Sequence, residues 1–380
     1  MNLLVLNYEY PPLGGGAGEI TKNISENIAA EGHRVTVVTA CYGELADDET
    51  INKVRIIRLK SKRKVLFRSD VFEMLSWIKK SKTFLKTFCN NEKFDVCFAN
   101  FAIPGGDVAC FLKRKFDIPY TIISHGHDIP WLFKKEMFFY HLLTYFRIKK
   151  ICKDSSFNFV QTPEMKNNID HFLSEKYAEK NIIIQNGIDR NAFFPDISKR
   201  MERLRILFSG RLVHQKDPFT FLKALNQLVK ENISDFDVLI SGDGLLRKNM
   251  ELYVVENKLN YYVKFSGWMD RDILIAEYQK ANLFVQTSKY EAMSMAVMEA
   301  LASGAFVICT MAGSNNTIVR DGTNGYFFET GNYLMLSEKI KTAFQKLSSD
   351  KKWIAPSDTV NAWKTLADEY LKYFRKALTG

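Results

Sequence analysis

The sequence predicts an α/β protein that consists of two doubly wound domains in tandem. Its 380 residues exceed what one ordinary hydrophobic core accommodates, so two domains are expected. The strand-like runs are continuously apolar, as in parallel strands whose two faces are both covered by helices. The alternation of strand and helix starts again beyond residue 203, after a proline and a charged stretch that are typical of a linker. A doubly wound architecture accounts for all three observations.

The predicted strands form two series, one in each half of the chain. They occupy residues 3–7, 34–39, 54–59, 96–100, 120–124 and 157–161 in the first series and 205–209, 237–241, 263–266, 283–286 and 306–309 in the second. The first helix is expected at about residues 19–31. We therefore divide the chain into an N-terminal domain of residues 1–190, a C-terminal domain of residues 200–355 and a terminal segment of residues 356–380.

The composition is that of a globular protein outside the membrane. Hydrophobic residues make up 46% and charged residues 25% of the chain, close to the globular average. Polar residues interrupt each apolar run before it reaches the length of a bilayer span, and the first residues form a strand rather than a signal peptide. We therefore expect a cytoplasmic protein without a transmembrane helix. The six cysteines show no C-x-x-C spacing and are expected to be buried free thiols.

One segment accounts for the net positive charge of the chain. The net charge is +10, and residues 53–86 contain twelve Lys and Arg against Asp70 and Glu73. Aromatic and aliphatic residues are interspersed among them as far as residue 88, a mixture suited to an anionic membrane surface. An amphipathic helix with a solvated basic face is the alternative. Nucleic acid is not expected as a partner, because no recognition motif accompanies the charge.

A glycine-rich turn follows the first predicted strand. Residues 11–18 include Gly15 and Gly16, which allow backbone N–H groups to approach an anion at the start of a helix. The spacing is not that of G-x-G-x-x-G, because Glu19 stands where the last glycine would be. An anion-binding turn is therefore predicted, and a flexible connection is the alternative.

A histidine ends a strand of the first domain, in the run Ser124-His125-Gly126-His127-Asp128. Side chains at this end of a strand face the ligand crevice of an open α/β sheet, so we expect His125 to contact substrate. A metal site at His125, His127 and Asp128 is the weaker interpretation, because no distant ligand motif accompanies them.

Two cations follow the first strand of the second domain. Arg211 and Lys216 are placed to bind a diphosphate, Arg211 through two oxygens and Lys216 as a point charge. Such cations can neutralise a leaving nucleoside diphosphate without a metal. A solvated loop with two ordinary basic residues is the alternative.

Two glutamates eight residues apart form the most specific motif. Glu291 precedes a predicted helix and Glu299 lies inside it, so their carboxylates reach different depths of one strand-end crevice. A carboxylate on an apolar helix needs a partner, and the diol of a ribose would satisfy Glu299. An ion-paired glutamate is the alternative. The N–H groups of the first helical turn could also bind a phosphate, and they belong to Ser294, Met295 and Ala296.

These motifs together resemble the family 4 retaining glycosyltransferases of the GT-B fold. The order of the motifs matches the family over almost the whole chain, and the E-x7-E of Glu291 and Glu299 is the most specific of them. The remaining motifs are Asn186-Gly187-Ile188-Asp189 with Phe194-Pro195, Ser241-Gly242-Asp243-Gly244, Phe265-Ser266-Gly267-Trp268 and Asp321-Gly322-Thr323-Asn324-Gly325.

The resemblance implies two Rossmann-like domains that face a central cleft. Residues 1–190 would bind the acceptor, residues 200–355 would bind a UDP- or GDP-linked sugar, and a helix in residues 356–380 would cross back to the first domain. The implied activity is that of a hexosyltransferase that keeps the anomeric configuration and needs no metal or other cofactor. The acceptor would be a glycan or a lipid-linked precursor in polysaccharide biosynthesis, and the enzyme would lie in the cytoplasm or peripherally on the inner face of the membrane.

The resemblance also assigns roles to residues. His125 would lie beside the transferred sugar, and Glu291 would reach that sugar. Arg211 and Lys216 would bind the diphosphate, and these four residues form the implied catalytic set. Glu299 would hold the ribose. The remaining donor-binding residues would be Gly15, Gly16, Ser294, Met295 and Ala296.

The chain departs from the family pattern at two places, and both concern the donor sugar. Ala292 and Ser294 replace a glycine-rich stretch after Glu291, and Gly313-Ser314-Asn315-Asn316-Thr317 replaces the common G-G-x-P-E. These departures leave the identity of the sugar open. A nucleotide-sugar epimerase of the same fold and a non-catalytic sugar-nucleotide binding protein are the alternative functions.

Overall fold

The computed structural model describes residues 1–66, 69–126, 128, 130, 138–200, 203–349 and 353–379. The chain divides into two compact units. The first consists of Met1–Asn186 with Trp363–Gly380, and the second of Gly187–Ala362. Each unit contains one largely parallel sheet with crossover helices.

The first unit contains an eight-stranded sheet. Its strands are β1 (Asn2–Leu6), β2 (Arg34–Ala40), β3 (Asp48–Ile51), β4 (Val54–Leu59), β5 (Val96–Asn100), β6 (Tyr120–Ile123), β7 (Phe157–Val160) and β8 (Asn181–Ile183). Their spatial order is β3-β4-β2-β1-β5-β6-β7-β8, and only the β3–β4 pair is antiparallel. The chain builds outward on both sides of β1 and β5, so ligands of this fold bind beyond the carboxyl ends of these two strands. Strands β3 and β8 were not predicted from the sequence, because β3 is short, polar and largely exposed and β8 has only three residues.

The helices of the first unit cover both faces of this sheet. They are α1 (Gly16–Ala30), α2 (Val71–Asn91), α3 (Asp107–Phe116), α4 (Phe138–Asp154), α5 (Pro163–Leu173) and, from the end of the chain, α11 (Trp363–Thr379). A capping box starts α2, in which the Asp70 carboxylate accepts from Glu73 N at 2.8 Å and Glu73 accepts from Asp70 N at 2.9 Å. Helix α1 begins three residues earlier than predicted, because glycines weaken the helical pattern of its first turn.

The second unit contains six strands that are all parallel. They are β9 (Leu204–Ser209), β10 (Phe236–Ser241), β11 (Val263–Gly267), β12 (Leu283–Gln286), β13 (Phe306–Cys309) and β14 (Gly325–Phe327). The spatial order is β11-β10-β9-β12-β13-β14, so the direction of winding reverses between β9 and β12. The accompanying helices are α6 (Pro218–Lys230), α7 (Arg247–Glu256), α8 (Arg271–Lys280), α9 (Met295–Ala302) and α10 (Tyr333–Ser349).

Alternate residues of each central strand enter opposite cores. On β9, Ile206 and Phe208 pack into the cluster on one face, whereas Leu207 packs into the cluster on the other. Strand β12 follows the same rule with Val285 and Phe284. Both faces are buried, which explains why these strands read as continuous apolar runs. All six cysteines are buried and unpaired, as predicted.

The basic segment at residues 53–88 does not form one continuous surface. Six of its cations contact carboxylates, and these are Arg55, Arg58, Lys60, Arg63, Lys64 and Lys82. Trp77, Ile78 and Leu85 belong to the core. Phe67 and Arg68 lie outside the described residues. Buried residues of β4 and α2 therefore interrupt the basic and aromatic character of the segment, and membrane binding through residues 53–88 stays a prediction.

No helix in the described part of the chain is both long enough and apolar enough to cross a bilayer.

Aromatic stacking attaches α11 to the first sheet. The ring of Phe98 on β5 lies 5.3 Å from Phe374 and 5.6 Å from Tyr370, and Phe159 on β7 lies 5.0 Å from Tyr370. All four rings are fully buried. The last residues of the chain therefore complete the core of the unit that contains its beginning.

We expect Phe374→Ala to lower the free energy of unfolding of the first unit by about 3–5 kcal/mol, because it removes a buried ring and leaves a cavity. Leu378→Ala is the matched control on the same helix, since Leu378 is 43% exposed. Urea unfolding of both variants measures the difference. Equal losses in the two variants would show that α11 does not pack as described.

Candidate functional site

The glycine turn of the first unit lies open at the start of α1. Gly15 is the N-cap residue, and a Cβ added to it would meet no atom within 4 Å. Gly14 differs, because its φ is +90° and a Cβ there would lie 2.6 Å from Glu9 Cβ. The exposed backbone at Gly15 and Gly16 therefore leaves room for an anion beside the first N–H groups of the helix. Anion binding by these glycines stays a prediction.

Asn100 holds the ring of His125 in one tautomer. Asn100 is fully buried at the end of β5, and its Nδ2 donates to Leu6 O at 3.5 Å, which directs Oδ1 toward His125 Nε2 at 3.0 Å. Thr21 Oγ1 also lies 2.7 Å from Asn100 Oδ1. Because Oδ1 can only accept, His125 carries its proton on Nε2 and keeps Nδ1 as an acceptor.

The surroundings of His125 keep it neutral. Although the residue as a whole is partly exposed, desolvation lowers its pKa from 6.5 to about 3, since burial disfavours the imidazolium. The ring of Phe101 covers it at 4.7 Å between centroids, and Tyr8 lies 5.5 Å beyond Phe101. His125 therefore suits a role as a hydrogen-bonding contact rather than as a cation.

Asp128 connects the loops that follow β5 and β6. Its Oδ2 accepts from Ala102 N at 2.9 Å and its Oδ1 from His125 N at 3.0 Å. Burial raises the pKa of Asp128, and these two hydrogen bonds oppose the rise. Both carboxylate oxygens are thus engaged by backbone N–H groups, which does not suit a metal ligand. His127, the third member of the alternative metal site, lies outside the described residues, and among the described residues no group of three suitable ligands occurs.

Lys216 and Glu291 meet beyond the carboxyl ends of β9 and β12. Lys216 Nζ lies 2.5 Å from Glu291 Oε1, which also accepts from Ser288 Oγ at 2.7 Å. Both charged side chains are mostly buried. The loops that carry them are joined by three further hydrogen bonds. These run from Gln215 Nε2 to Tyr290 O at 3.0 Å, from Thr287 Oγ1 to Lys216 O at 2.7 Å and from Lys289 N to Gln215 O at 2.8 Å. The winding of the sheet reverses here, where doubly wound folds bind ligands.

Glycines allow the loops after β9 and β10 to approach each other. A Cβ on Gly242 would lie 2.0 Å from Gly210 O, and one on Gly244 would lie 2.4 Å from Leu212 O. A Cβ on Gly210 would lie 3.5 Å from Cε of Lys216. Arg211, next in the chain, is exposed at this edge. The motif Ser241-Gly242-Asp243-Gly244 is therefore a packing requirement of the loop that carries both cations.

Arg271 is the partner of Glu299. Its Nη1 lies 2.8 Å from Glu299 Oε1, and its guanidinium covers the ring of Phe193 at 4.8 Å. The neighbouring Tyr278 is fully buried, and its pKa is raised, first by burial and then by the charge of Glu299. Glu299 is thus ion-paired in the structure, which was the alternative interpretation of this residue. Ribose binding by Glu299 stays a prediction. Sequence reasoning missed Arg271, whose only local signal was a cation four residues beyond β11.

Gln286 connects two of the residues that depart from the family pattern, Ser294 and Asn315, by hydrogen bonds. Ser294 caps α9 by accepting from Val297 N at 3.4 Å and also contacts Gln286 Nε2. Asn315 Nδ2 donates to Gln286 Oε1 at 2.8 Å. Met295 and Ala296 are the first two residues of α9, so their backbone N–H groups have no acceptor within the helix. Phosphate binding by these groups stays a prediction.

Gly313 brings the replaced segment against Glu291. Its φ is +65°, and a Cβ there would lie 2.4 Å from Glu291 Cβ. Ser314, the next residue, is also in the left-handed region with φ +56°. The segment that differs from the family thus packs directly on the glutamate that the resemblance assigns to the donor sugar.

Comparison with known proteins identifies the class to which this fold and these motifs belong. Residues 14–192 match the model of Glycosyltransferase Family 4, and residues 189–357 match the model of Glycosyl transferases group 1. The two matches follow one another along nearly the whole chain. The protein is a glycosyltransferase of the GT-B type and belongs to family 4, which confirms the resemblance that the motifs indicated.

Individual relatives agree with this assignment. An uncharacterized glycosyltransferase of Methanocaldococcus jannaschii is 27% identical over 344 residues, 90% of this chain and 87% of the relative. The GalNAc-alpha-(1->4)-GalNAc-alpha-(1->3)-diNAcBac-PP-undecaprenol alpha-1,4-N-acetyl-D-galactosaminyltransferase of Campylobacter jejuni is 24% identical over 89% of this chain and 88% of its own.

The structural comparison confirms the predicted fold class. Sucrose-phosphate synthase from Thermosynechococcus elongatus superimposes with a TM-score of 0.84 at 20% identity, over 100% of this chain and 99% of that one. HepE from Anabaena, solved with UDP and glucose, superimposes with a TM-score of 0.76 at 17% identity, over 99% of both chains. The chain thus has two Rossmann-like domains with parallel sheets, as the sequence predicted.

We expect ¹⁵N NMR to find His125 neutral and protonated on Nε2, with no titration until the pH approaches about 3. Because the folded pKa lies below the unfolded value, the neutral ring stabilises the fold fully above about pH 6.5. This contribution is lost as the pH falls from there toward 3. The nontitrating variant His125→Gln should therefore lose less stability than the wild type over this range. A His125 ring that titrates near pH 6.5 contradicts the prediction.

Proposed function

We propose that the protein is a retaining hexosyltransferase that moves a sugar from a UDP- or GDP-linked donor to a glycan or lipid-linked acceptor without a divalent metal. The contact between Lys216 and Glu291 carries this proposal, because it brings a cation and a carboxylate together where the second sheet reverses its winding. The HepE structure with UDP and glucose supports a UDP-sugar donor. The undecaprenol-linked acceptor in the name of the Campylobacter jejuni relative supports a lipid-linked acceptor.

The two cations of the β9 loop bind the diphosphate in this proposal. Arg211 is exposed and can direct its planar fork at two phosphate oxygens. Lys216 is held by Glu291, and on donor binding a phosphate oxygen replaces the carboxylate as its partner. Both cations then neutralise the charge that grows on the leaving nucleoside diphosphate, which is the task that a metal performs in other transferases.

The carboxylate of Glu291 has a second role in the proposal. Once Lys216 turns to the phosphate, Glu291 keeps the hydrogen bond from Ser288 and accepts another from a hydroxyl of the donor sugar. Gly313 packs against the same residue, so the shape of the sugar subsite depends on the segment that departs from the family. His125 and the glycines Gly15 and Gly16 keep the sugar- and diphosphate-facing roles that the resemblance implies. A place in the cytoplasm, peripherally at the membrane, accords with this reaction.

We expect the purified protein to release UDP or GDP from one member of a nucleotide-sugar panel in excess EDTA, through slow hydrolysis or through transfer to an added acceptor. Arg211→Ala should lower turnover by about two to three orders of magnitude, since it removes one electrostatic donor from the transition state. Lys223→Ala, an exposed lysine on α6, is the control and should keep wild-type turnover. NMR of the first-formed glycoside reads the anomeric configuration.

Other outcomes of that assay identify the alternatives. Conversion of the sugar without release of nucleotide indicates an epimerase, and binding without turnover indicates a sugar-nucleotide binding protein. Loss of activity in EDTA with recovery on adding magnesium or manganese contradicts metal independence.

We expect Glu299→Ala and Arg271→Ala each to weaken binding of the nucleoside diphosphate by about tenfold. Glu299→Ala removes the carboxylate that binds the ribose in this proposal, and Arg271→Ala removes the partner of that carboxylate. The double variant should bind the nucleoside diphosphate with the same affinity as the weaker-binding single variant or better, since both substitutions remove one contact. Isothermal titration calorimetry measures these affinities. Arg320→Ala, which breaks an exposed pair with Asp358, is the control. Unchanged affinity in Glu299→Ala would show that Glu299 is only a structural ion pair.

A further inference from the structure

Two helices of the first unit present large apolar side chains to solvent. On α4, Leu143 is 86% exposed and Phe146 is 84% exposed, and on α2, Phe72 is 75% exposed. We call the whole group the apolar rim, which consists of Val71, Phe72, Leu75, Phe139, Leu142, Leu143 and Phe146. A soluble protein rarely leaves so many large apolar residues uncovered on neighbouring elements, so the rim indicates a binding surface.

Both parts of the rim lie at the same edge of the unit. Asp107, the first residue of α3, accepts from Lys82 of α2 at 2.6 Å and also contacts Arg147 of α4. Helices α2, α3 and α4 each lead into a strand of the parallel set, so they run in the same direction and begin at the carboxyl edge of the sheet. Because Lys82 and Arg147 lie well inside their helices, α2 and α4 each extend on the order of 15 Å beyond the level of Asp107.

A group of exposed lysines follows the rim on the same two helices. This basic belt consists of Lys79, Lys80, Lys86 and Lys150. The acidic residues of these helices are Glu73, which is buried in the capping box, and Asp154, the last residue of α4, whose carboxylate lies 3.4 Å from Lys150 Nζ. The outer surface of α2 and α4 is thus apolar at its projecting end and positive behind it.

This order of side chains matches one occupant, the headgroup region of an anionic bilayer. Apolar residues at the tip of an element enter the boundary of the acyl chains, while lysines behind them meet lipid phosphates. A second copy of the chain fits less well, because a symmetric contact between two rims would bring the two basic belts together. We propose that the apolar rim and the basic belt form the surface by which the first unit binds anionic membranes.

The rim is also connected with the substrate edge of this unit. The ring of Trp77, two residues beyond Leu75 on α2, lies 6.5 Å from the ring of Tyr8, which contacts Phe101, and Phe101 contacts His125. On α4, Tyr140 is partly buried, and its pKa is raised first by burial and then by the charge of Asp128. Membrane binding through the rim would bring His125 close to the headgroups. A sugar acceptor on a lipid diphosphate, which rests on the proposed function, would then be presented at that level.

The test is sedimentation with phosphatidylcholine vesicles that either contain or lack phosphatidylglycerol. We expect the wild type to bind only the anionic vesicles at low salt and to dissociate at high salt. The rim variant Leu143→Ser with Phe146→Ser, and the belt variant Lys79→Glu with Lys80→Glu and Lys150→Glu, should each lower the partition coefficient by at least about a hundredfold. Leu252→Ser with Val255→Ser, and Lys223→Glu with Lys230→Glu and Lys248→Glu, change matching exposed residues of the second unit and should bind like the wild type.

A second measurement reports insertion directly. We expect Leu143→Trp to give a blue-shifted difference emission spectrum on anionic vesicles, and Leu252→Trp to give none. Release of nucleoside diphosphate in solution without vesicles should be the same in the rim and belt variants as in the wild type. Normal release with lost vesicle binding supports the surface, whereas absent release in every protein contradicts the proposed function and leaves the vesicle result intact.

The proposal is overturned if the wild type stays in the supernatant at low salt, or if it binds neutral vesicles equally well. It is also overturned if size-exclusion chromatography finds a dimer that the rim variant converts to a monomer, since the rim would then be a contact between copies.

Discussion

The ion pair between Lys216 and Glu291 is the interaction on which the second unit's site depends. It joins residues 75 positions apart, and it exists because the loops after β9 and β12 meet where the sheet reverses its winding. Gly210 and Gly242 approach each other closely, and the side chain of Lys216 lies beside Gly210. Gly313 packs against Glu291. Larger residues at these glycines would move Lys216 and Glu291 apart, although the two charged residues themselves would be unchanged.

The first unit uses hydrogen bonds rather than charges for the same purpose. Asn100 selects the tautomer of His125, and Asp128 joins the two loops beside it through backbone N–H groups. Desolvation keeps the imidazole neutral, so the unit offers a polar contact without a fixed positive charge. The two units thus differ in electrostatic character. The cations that suit a diphosphate come from the second unit, and the neutral histidine comes from the first.

The fold decides which charges of the chain are paired and which are exposed to a partner. Six cations of residues 53–86 are bound to carboxylates, so the large net charge of this segment overstates what a partner meets. The exposed lysines of α2 instead combine with Lys150 of α4, from a distant part of the sequence. Apolar side chains occupy the projecting ends of both helices, and this smaller set of lysines lies behind them. A count of charges cannot show this arrangement.

The sequence by itself determined the two largely parallel sheets, the family and the strand ends at which the candidate site residues lie. These are properties of local periodicity and of motifs that follow strands, and neighbours along the chain suffice to define them. Only the tertiary structure decided the partners of those residues. Arg271 pairs with Glu299 and Asn100 with His125 across different strands, and no local pattern specifies such contacts. The same reason explains why the sequence left a membrane surface and a solvated helix as alternatives for the basic segment, since burial and ion pairing depend on residues brought together only by folding.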